Sequence, residues 1–72
     1  MIERKDFLSE IAELVNGKAD FSEAERRVYV KFIGISRVNV LKSFMSNHGF
    51  NYVYGAYDEG VYELGFAEVE GF

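Results

Sequence analysis

The 72-residue chain contains no cysteine, which excludes disulfide bonds and thiolate metal sites, so its stability must come from core packing, self-association or a partner. Its net charge of −4 is unevenly divided: up to Lys42 there are eight basic and seven acidic residues, and beyond it there are none and five. Such an acidic half repels phosphate backbones and attracts a basic surface on another protein, or alternatively only keeps an aromatic-rich hairpin in solution.

Residues 1–6 carry charges of both signs, and no long apolar run follows them. We therefore expect no signal peptide and no membrane-spanning segment. We therefore expect a cytoplasmic protein without a membrane partner. No linker, repeat or proline divides the chain, so we expect a single domain over residues 1–72.

An amphipathic helix is predicted from Glu3 to Asn16, and Asn16-Gly17 is expected to end it. Its apolar residues recur at helical spacing: Phe7, Leu8, Ile11, Leu14 and Val15. We interpret Lys18 to Arg26 as a polar connection, in which Ser22 and Glu25 have the spacing of a capping box.

Arg27 to Ile33 alternates apolar and polar or aromatic residues, which predicts a strand with one buried face. A second helix is expected after Gly34, with Ser36 as its N-cap and an apolar side formed by Val38, Leu41, Phe44 and Met45. We expect His48, the only histidine, to interact with the negative end of this helix rather than to act as a ligand or base.

Two further strands are predicted, Asn51 to Tyr57 and Val61 to Val69, joined by a type I turn and a left-handed glycine at Asp58-Glu59-Gly60. If Tyr57 faces Val61, one face is the expected core and carries Tyr52, Tyr54, Tyr62, Leu64 and Phe66. The other face then carries Val53, Gly55, Tyr57, Val61, Glu63 and Gly65. Gly55 and Gly65 lie inside strands, which indicates a bulge or simple tolerance of glycine, or else the close approach of a large ring such as Tyr29 or of a partner's side chain.

The predicted fold is α+β with the element order α-β-α-β-β, a three-stranded sheet with both helices packed on one face. The opposite face is expected to stay open. It would carry Tyr29, Lys31, Val53, Tyr57 and Val61 as a binding platform or a dimer interface.

No residue pattern predicts an enzyme, a metal site or a cofactor. His48 has no cysteine or activated serine to work with. The adjacent pair Asp58-Glu59 offers too few oxygens for calcium or magnesium.

Val28 to Ile33, followed by a helix and two strands, resembles the opening half of an RNA-recognition motif, in which an aromatic residue at the second strand position stacks on a base. Tyr29 occupies that position. In the segment that corresponds to the family's second signature, Leu64 replaces the usual basic residue and Glu68 replaces a stacking aromatic. Our second hypothesis is a module that binds single-stranded nucleic acid through an aromatic sheet face. Tyr29 and neighbouring rings would stack on bases, and the phosphate contacts would be Arg27, Lys31, Arg37 and Lys42.

Our first hypothesis is a non-enzymatic protein that binds and blocks or modulates a protein partner with a basic surface, without direct contact to nucleic acid. In size and charge the chain resembles small acidic inhibitors from phages and mobile elements, including anti-CRISPR proteins, which implies a partner among nucleic-acid-handling machinery. The predicted partner-binding residues are Tyr29, Tyr57, Asp58, Glu59, Glu63, Glu68 and Glu70. A third hypothesis is a homodimer that pairs through the open face or through an edge strand at Val61 to Val69.

Overall fold

The computed structural model describes residues 4–69, which form a four-stranded antiparallel sheet and two helices. In chain order the elements are α1 (Arg4–Val15), β1 (Lys18–Ser22), β2 (Arg27–Ile33), α2 (Ser36–Asn47), β3 (Phe50–Asp58) and β4 (Val61–Glu68). The strands lie in the order β1-β2-β4-β3. Neither helix in these residues has the length and apolar content needed to cross a membrane.

The core lies between the two helices and one face of the sheet. Its buried residues are Ile11, Val15, Val28, Val30, Phe32, Leu41, Met45, Leu64 and Phe66. On β2 and β4 the strand residues of this core are every second residue, as expected for strands that bury one face. We call the face that packs on the helices the helix face, and the opposite one the open face.

The α+β class is confirmed, but the prediction of three strands is wrong because residues 18–22 form β1 rather than a polar connection. β1 pairs antiparallel with β2, and Phe21 lies opposite Val28 and packs against the core. The predicted capping-box contact occurs in the β1–β2 turn instead of a helix: the Glu25 backbone N–H donates to Ser22 Oγ at 3.4 Å.

The two ends of α2 differ in how well they were predicted. Ser36 is not the N-cap: Ile35 holds that position with φ −63° and ψ −27°, and no side chain caps the helix there. The role of His48 at the C-terminal end is confirmed, since it is the C-cap residue and its Nδ1 lies 2.8 Å from the carbonyl oxygen of Phe44. Because a carbonyl only accepts hydrogen bonds, Nδ1 carries the proton.

The turn between β3 and β4 has two residues, not three. Asp58 lies opposite Val61, and both Glu59 (φ 49°) and Gly60 (φ 85°) have positive φ. Two successive residues with positive φ are typical of a type I′ hairpin, so the predicted type I turn and the pairing of Tyr57 with Val61 are wrong.

A β-bulge in β3 adds one residue to this strand, which offsets the shorter turn and restores the predicted pairing at Tyr52. Tyr52 lies opposite Phe66 and Tyr54 opposite Gly65, so Val53 has no partner in β4. Beyond the bulge the side chains of β3 change faces. Tyr54 therefore lies on the open face and Tyr57 on the helix face. The sequence predicted the opposite face for each of them, and both predictions are wrong.

Gly55 also lies on the helix face, opposite Leu64, and Tyr52 is 46% exposed rather than part of the core, so these two predictions are wrong as well. Tyr52, Tyr62, Leu64 and Phe66 share the helix face, and Val61, Glu63 and Gly65 share the open face. The edge strand expected at Val61 to Val69 is wrong, because β4 lies between β2 and β3. The edges of the described sheet are β1 and β3.

Candidate functional site

Four of the predicted partner-binding residues meet where β3 turns into β4, a region that we call the hairpin end. They are Tyr57, Asp58, Glu59 and Glu63. Glu68 lies at the opposite end of β4, where its Oε2 is 3.2 Å from Nη2 of Arg26. Glu70 lies outside the residues that the structure describes.

The three acidic residues of the hairpin end surround a shallow concavity of about 350 Å³ on the open face. We call it the acidic concavity, and it is lined by Lys31, Ala56, Asp58, Glu59, Val61 and Glu63. Lys31 Nζ lies 3.9 Å from Glu63 Oε2. An exposed pair of this kind is weak, and one ammonium group does not balance three carboxylates, so the concavity keeps a negative charge.

An apolar groove of about 300 Å³ lies on the helix face, beside α2. Its lining residues are Ile35, Val38, Tyr52, Gly55, Ala56, Tyr57, Tyr62 and Leu64. The ring of Tyr57 lies 4.7 Å from that of Tyr62, yet Tyr57 remains 62% exposed. Lys42 Nζ lies 4.3 Å from the ring centroid of Tyr52 at the same groove. The groove thus offers aromatic and aliphatic side chains to solvent.

Two isoleucines that we did not predict as site residues also belong to the hairpin end. Ile33 is 74% exposed and lies opposite Val61, and Ile35 is 73% exposed and lines the apolar groove. They flank Gly34, which has φ 107°. The sequence carried a signal for Ile33: the alternation of β2 puts it on the same face as Lys31, away from the core.

Tyr29, also predicted to bind the partner, lies in the middle of the open face rather than at the hairpin end. Its ring meets that of Tyr54 edge-on, with centroids 6.0 Å apart, and lies over Gly65, which confirms that a ring approaches this glycine. The Tyr29 hydroxyl donates to Glu25 Oε1 at 3.0 Å. Arg27 Nη1 lies 3.5 Å from the same hydroxyl, and this hydrogen bond raises the pKa of Arg27 above its ordinary value.

Gly65 leaves just enough room for this aromatic pair. A methyl group there would lie 2.9 Å from Cε1 of Tyr29 and 3.0 Å from Cβ of Tyr54. We expect Gly65→Ala to lower the free energy of unfolding by about 1–3 kcal/mol, measured by urea denaturation. In a protein that also carries Tyr29→Ala, Gly65→Ala should lower the free energy of unfolding by less, because the contact with the ring of Tyr29 is gone. Equal costs in the two backgrounds would show that the ring of Tyr29 does not constrain this position.

On β4, the strand that corresponds to the second signature of an RNA-recognition motif, the open face has no aromatic residue, although Tyr54 of β3 brings a second ring beside Tyr29. Phe66, the one ring in the segment that corresponds to that signature, is fully buried on the helix face. It cannot stack on a base without leaving the core. The open-face residues of β4 around it are Gly65 and Ala67, which have no ring.

Within residues 4–69, the acidic side chains and His48 form no group of three that could hold a metal ion. Comparison of the chain with protein-family models, curated proteins and solved structures gives no match. Function is therefore inferred from the geometry of the hairpin end.

Proposed function

We propose that the protein binds another protein through its hairpin end and blocks or modulates that partner by occupying a basic surface on it. The main support is that Ile33, Ile35 and Tyr57 are mostly exposed at the same end of the sheet as the acidic concavity, with Ile33 on the open face and Ile35 and Tyr57 at the apolar groove on the helix face. Large apolar side chains that fill no core position and lie near charges are typical of a protein-binding surface.

The two kinds of side chain have different roles in this proposal. Tyr57 is the apolar anchor, since buried aromatic residues supply much of the binding energy at protein interfaces. Asp58, Glu59 and Glu63 select the partner and speed the encounter through their charge. A groove that normally holds a phosphate backbone has the complementary charge, so the proposed partner class is a nucleic-acid-handling protein.

Neutralising the acidic concavity tests this proposal. The hairpin-end variant combines Asp58→Asn, Glu59→Gln and Glu63→Gln. Its control combines Glu10→Gln, Glu13→Gln and Asp20→Asn, which remove the same charge from exposed positions on α1 and β1. With immobilised protein and a lysate of the source cells, the wild type and the control should retain the same protein. The hairpin-end variant should retain roughly tenfold less of it.

Two results of this experiment would contradict the proposal. In the first, both variants retain as much partner as the wild type, so the carboxylates of the hairpin end contribute nothing specific. In the second, both lose the partner equally, so only the total charge of the protein matters.

A further inference from the structure

We propose that the exposed edge of β3 receives an extended basic segment of the partner as a fifth strand of the sheet. This inference rests on the proposed function and specifies the form in which the partner binds. Addition of a strand to a free sheet edge is a common mode of peptide recognition, in which main-chain hydrogen bonds supply affinity and alternate side chains supply specificity.

The two edges of the described sheet differ in how far they are protected. β1 has five residues, two of which, Lys18 and Asp20, are charged. β3 has nine residues, and Asp58 at its end is the only charged one. All of β3 from Asn51 to Asp58 is exposed, although its neighbour β4 contributes to the core. Beyond the bulge at Val53, which interrupts the ladder, residues 54–58 form a weakly charged edge that is available for pairing with another strand.

The apolar groove and the acidic concavity lie on opposite sides of this edge. Ala56 lines both of them. Successive side chains of a strand point to opposite faces, so a strand along residues 54–58 would direct one set toward the groove and the other toward the concavity. The complementary segment therefore alternates apolar residues with lysine or arginine.

Charge favours a basic partner over a second copy of this chain. A second β3 has no basic residue to set against the acidic concavity, and it would bring another Asp58 to the edge. The backbone of a nucleic acid would meet the same carboxylates and be repelled. A cationic segment is the occupant that the charges at this edge favour.

The probe for this proposal is a synthetic peptide of alternating leucine and lysine, and its control is the corresponding peptide of leucine and glutamate. At low ionic strength, the lysine peptide should bind at least about tenfold more tightly. When saturating, it should slow hydrogen exchange of β3 backbone amides by about tenfold or more, because strand pairing protects them from solvent.

Val53→Lys places a charge on this edge and should abolish both the protection of β3 and most of the binding. The control is Val40→Lys on α2, where the side chain is equally exposed, 44% against 45% for Val53. It adds the same charge and should change neither. Thermal unfolding of both variants shows whether they remain folded.

The possible results separate this inference from the proposed function. Preference for the lysine peptide without protection of β3, or with protection that Val53→Lys leaves intact, would overturn strand addition and leave the basic partner standing. Equal binding of the two peptides would overturn both proposals. A dimer of the free protein that Val53→Lys dissociates in sedimentation would overturn strand addition, because a second copy would then occupy the edge.

Discussion

Phe66→Ala is expected to lower the free energy of unfolding by about 3–5 kcal/mol, the range typical of truncating a fully buried phenylalanine. Phe66 is completely buried and lies between Val28 and Tyr52 on the helix face. Small domains have a total stability of roughly 0.05–0.15 kcal/mol per residue, so this loss removes a large part of it. Urea denaturation followed by circular dichroism measures the change.

The control for Phe66→Ala is Tyr57→Ala, which truncates an aromatic residue on the same face of the neighbouring strand. Tyr57 is 62% exposed, so its removal should cost less than about 1 kcal/mol. A loss at Tyr57 as large as that at Phe66 would mean that the core extends to the hairpin end, and the surface we propose for binding would then be structural.

The second large effect concerns binding. Tyr57→Ala is expected to weaken the complex with the captured partner by about thirtyfold, equivalent to roughly 2 kcal/mol, because an aromatic anchor at the centre of an interface contributes on this scale. The dissociation constant can be measured by isothermal titration calorimetry. Since Tyr57 contributes little to the core, the variant should remain folded in this experiment.

Tyr29→Ala is the matched control for binding. It also tests the sequence prediction that Tyr29 binds the partner together with Tyr57. The sequence grouped Tyr29 with Tyr57, whereas the structure places Tyr29 against Tyr54 in the middle of the open face. We therefore expect Tyr29→Ala to weaken binding by less than about threefold. A stronger effect at Tyr29 than at Tyr57 would move the binding surface from the hairpin end to the middle of the open face.

Much of the fold could be predicted because strong periodic patterns agree with the tertiary structure. The helical spacing of Ile11 and Val15 and the alternation of Val28 and Val30 both mark buried positions. β1 could not be predicted in this way. Lysine, alanine and aspartate have low strand propensity, and the segment becomes a strand because it pairs with β2 and buries part of Phe21.

The candidate site was less predictable because the faces of a strand depend on its register. The bulge at Val53 and the two-residue turn with positive φ at Glu59 each shift the pairing register of β3 with β4 by one residue. Neither has a clear signature in the sequence. Their combined effect keeps Tyr52 opposite Phe66 but exchanges the faces of Tyr54 and Tyr57. The acidic concavity and the apolar groove consequently lie on opposite sides of β3, not on one surface.

The salt dependence of the complex tests most directly the claim that opposite charges join the hairpin end to its partner. Between about 0.05 M and 0.5 M salt, we predict that the dissociation constant of the wild type rises by roughly tenfold or more, because screening weakens exposed charge pairs. The variant with Asp58→Asn, Glu59→Gln and Glu63→Gln should show a much smaller rise. A wild-type dissociation constant that stays the same over this range would contradict the claim.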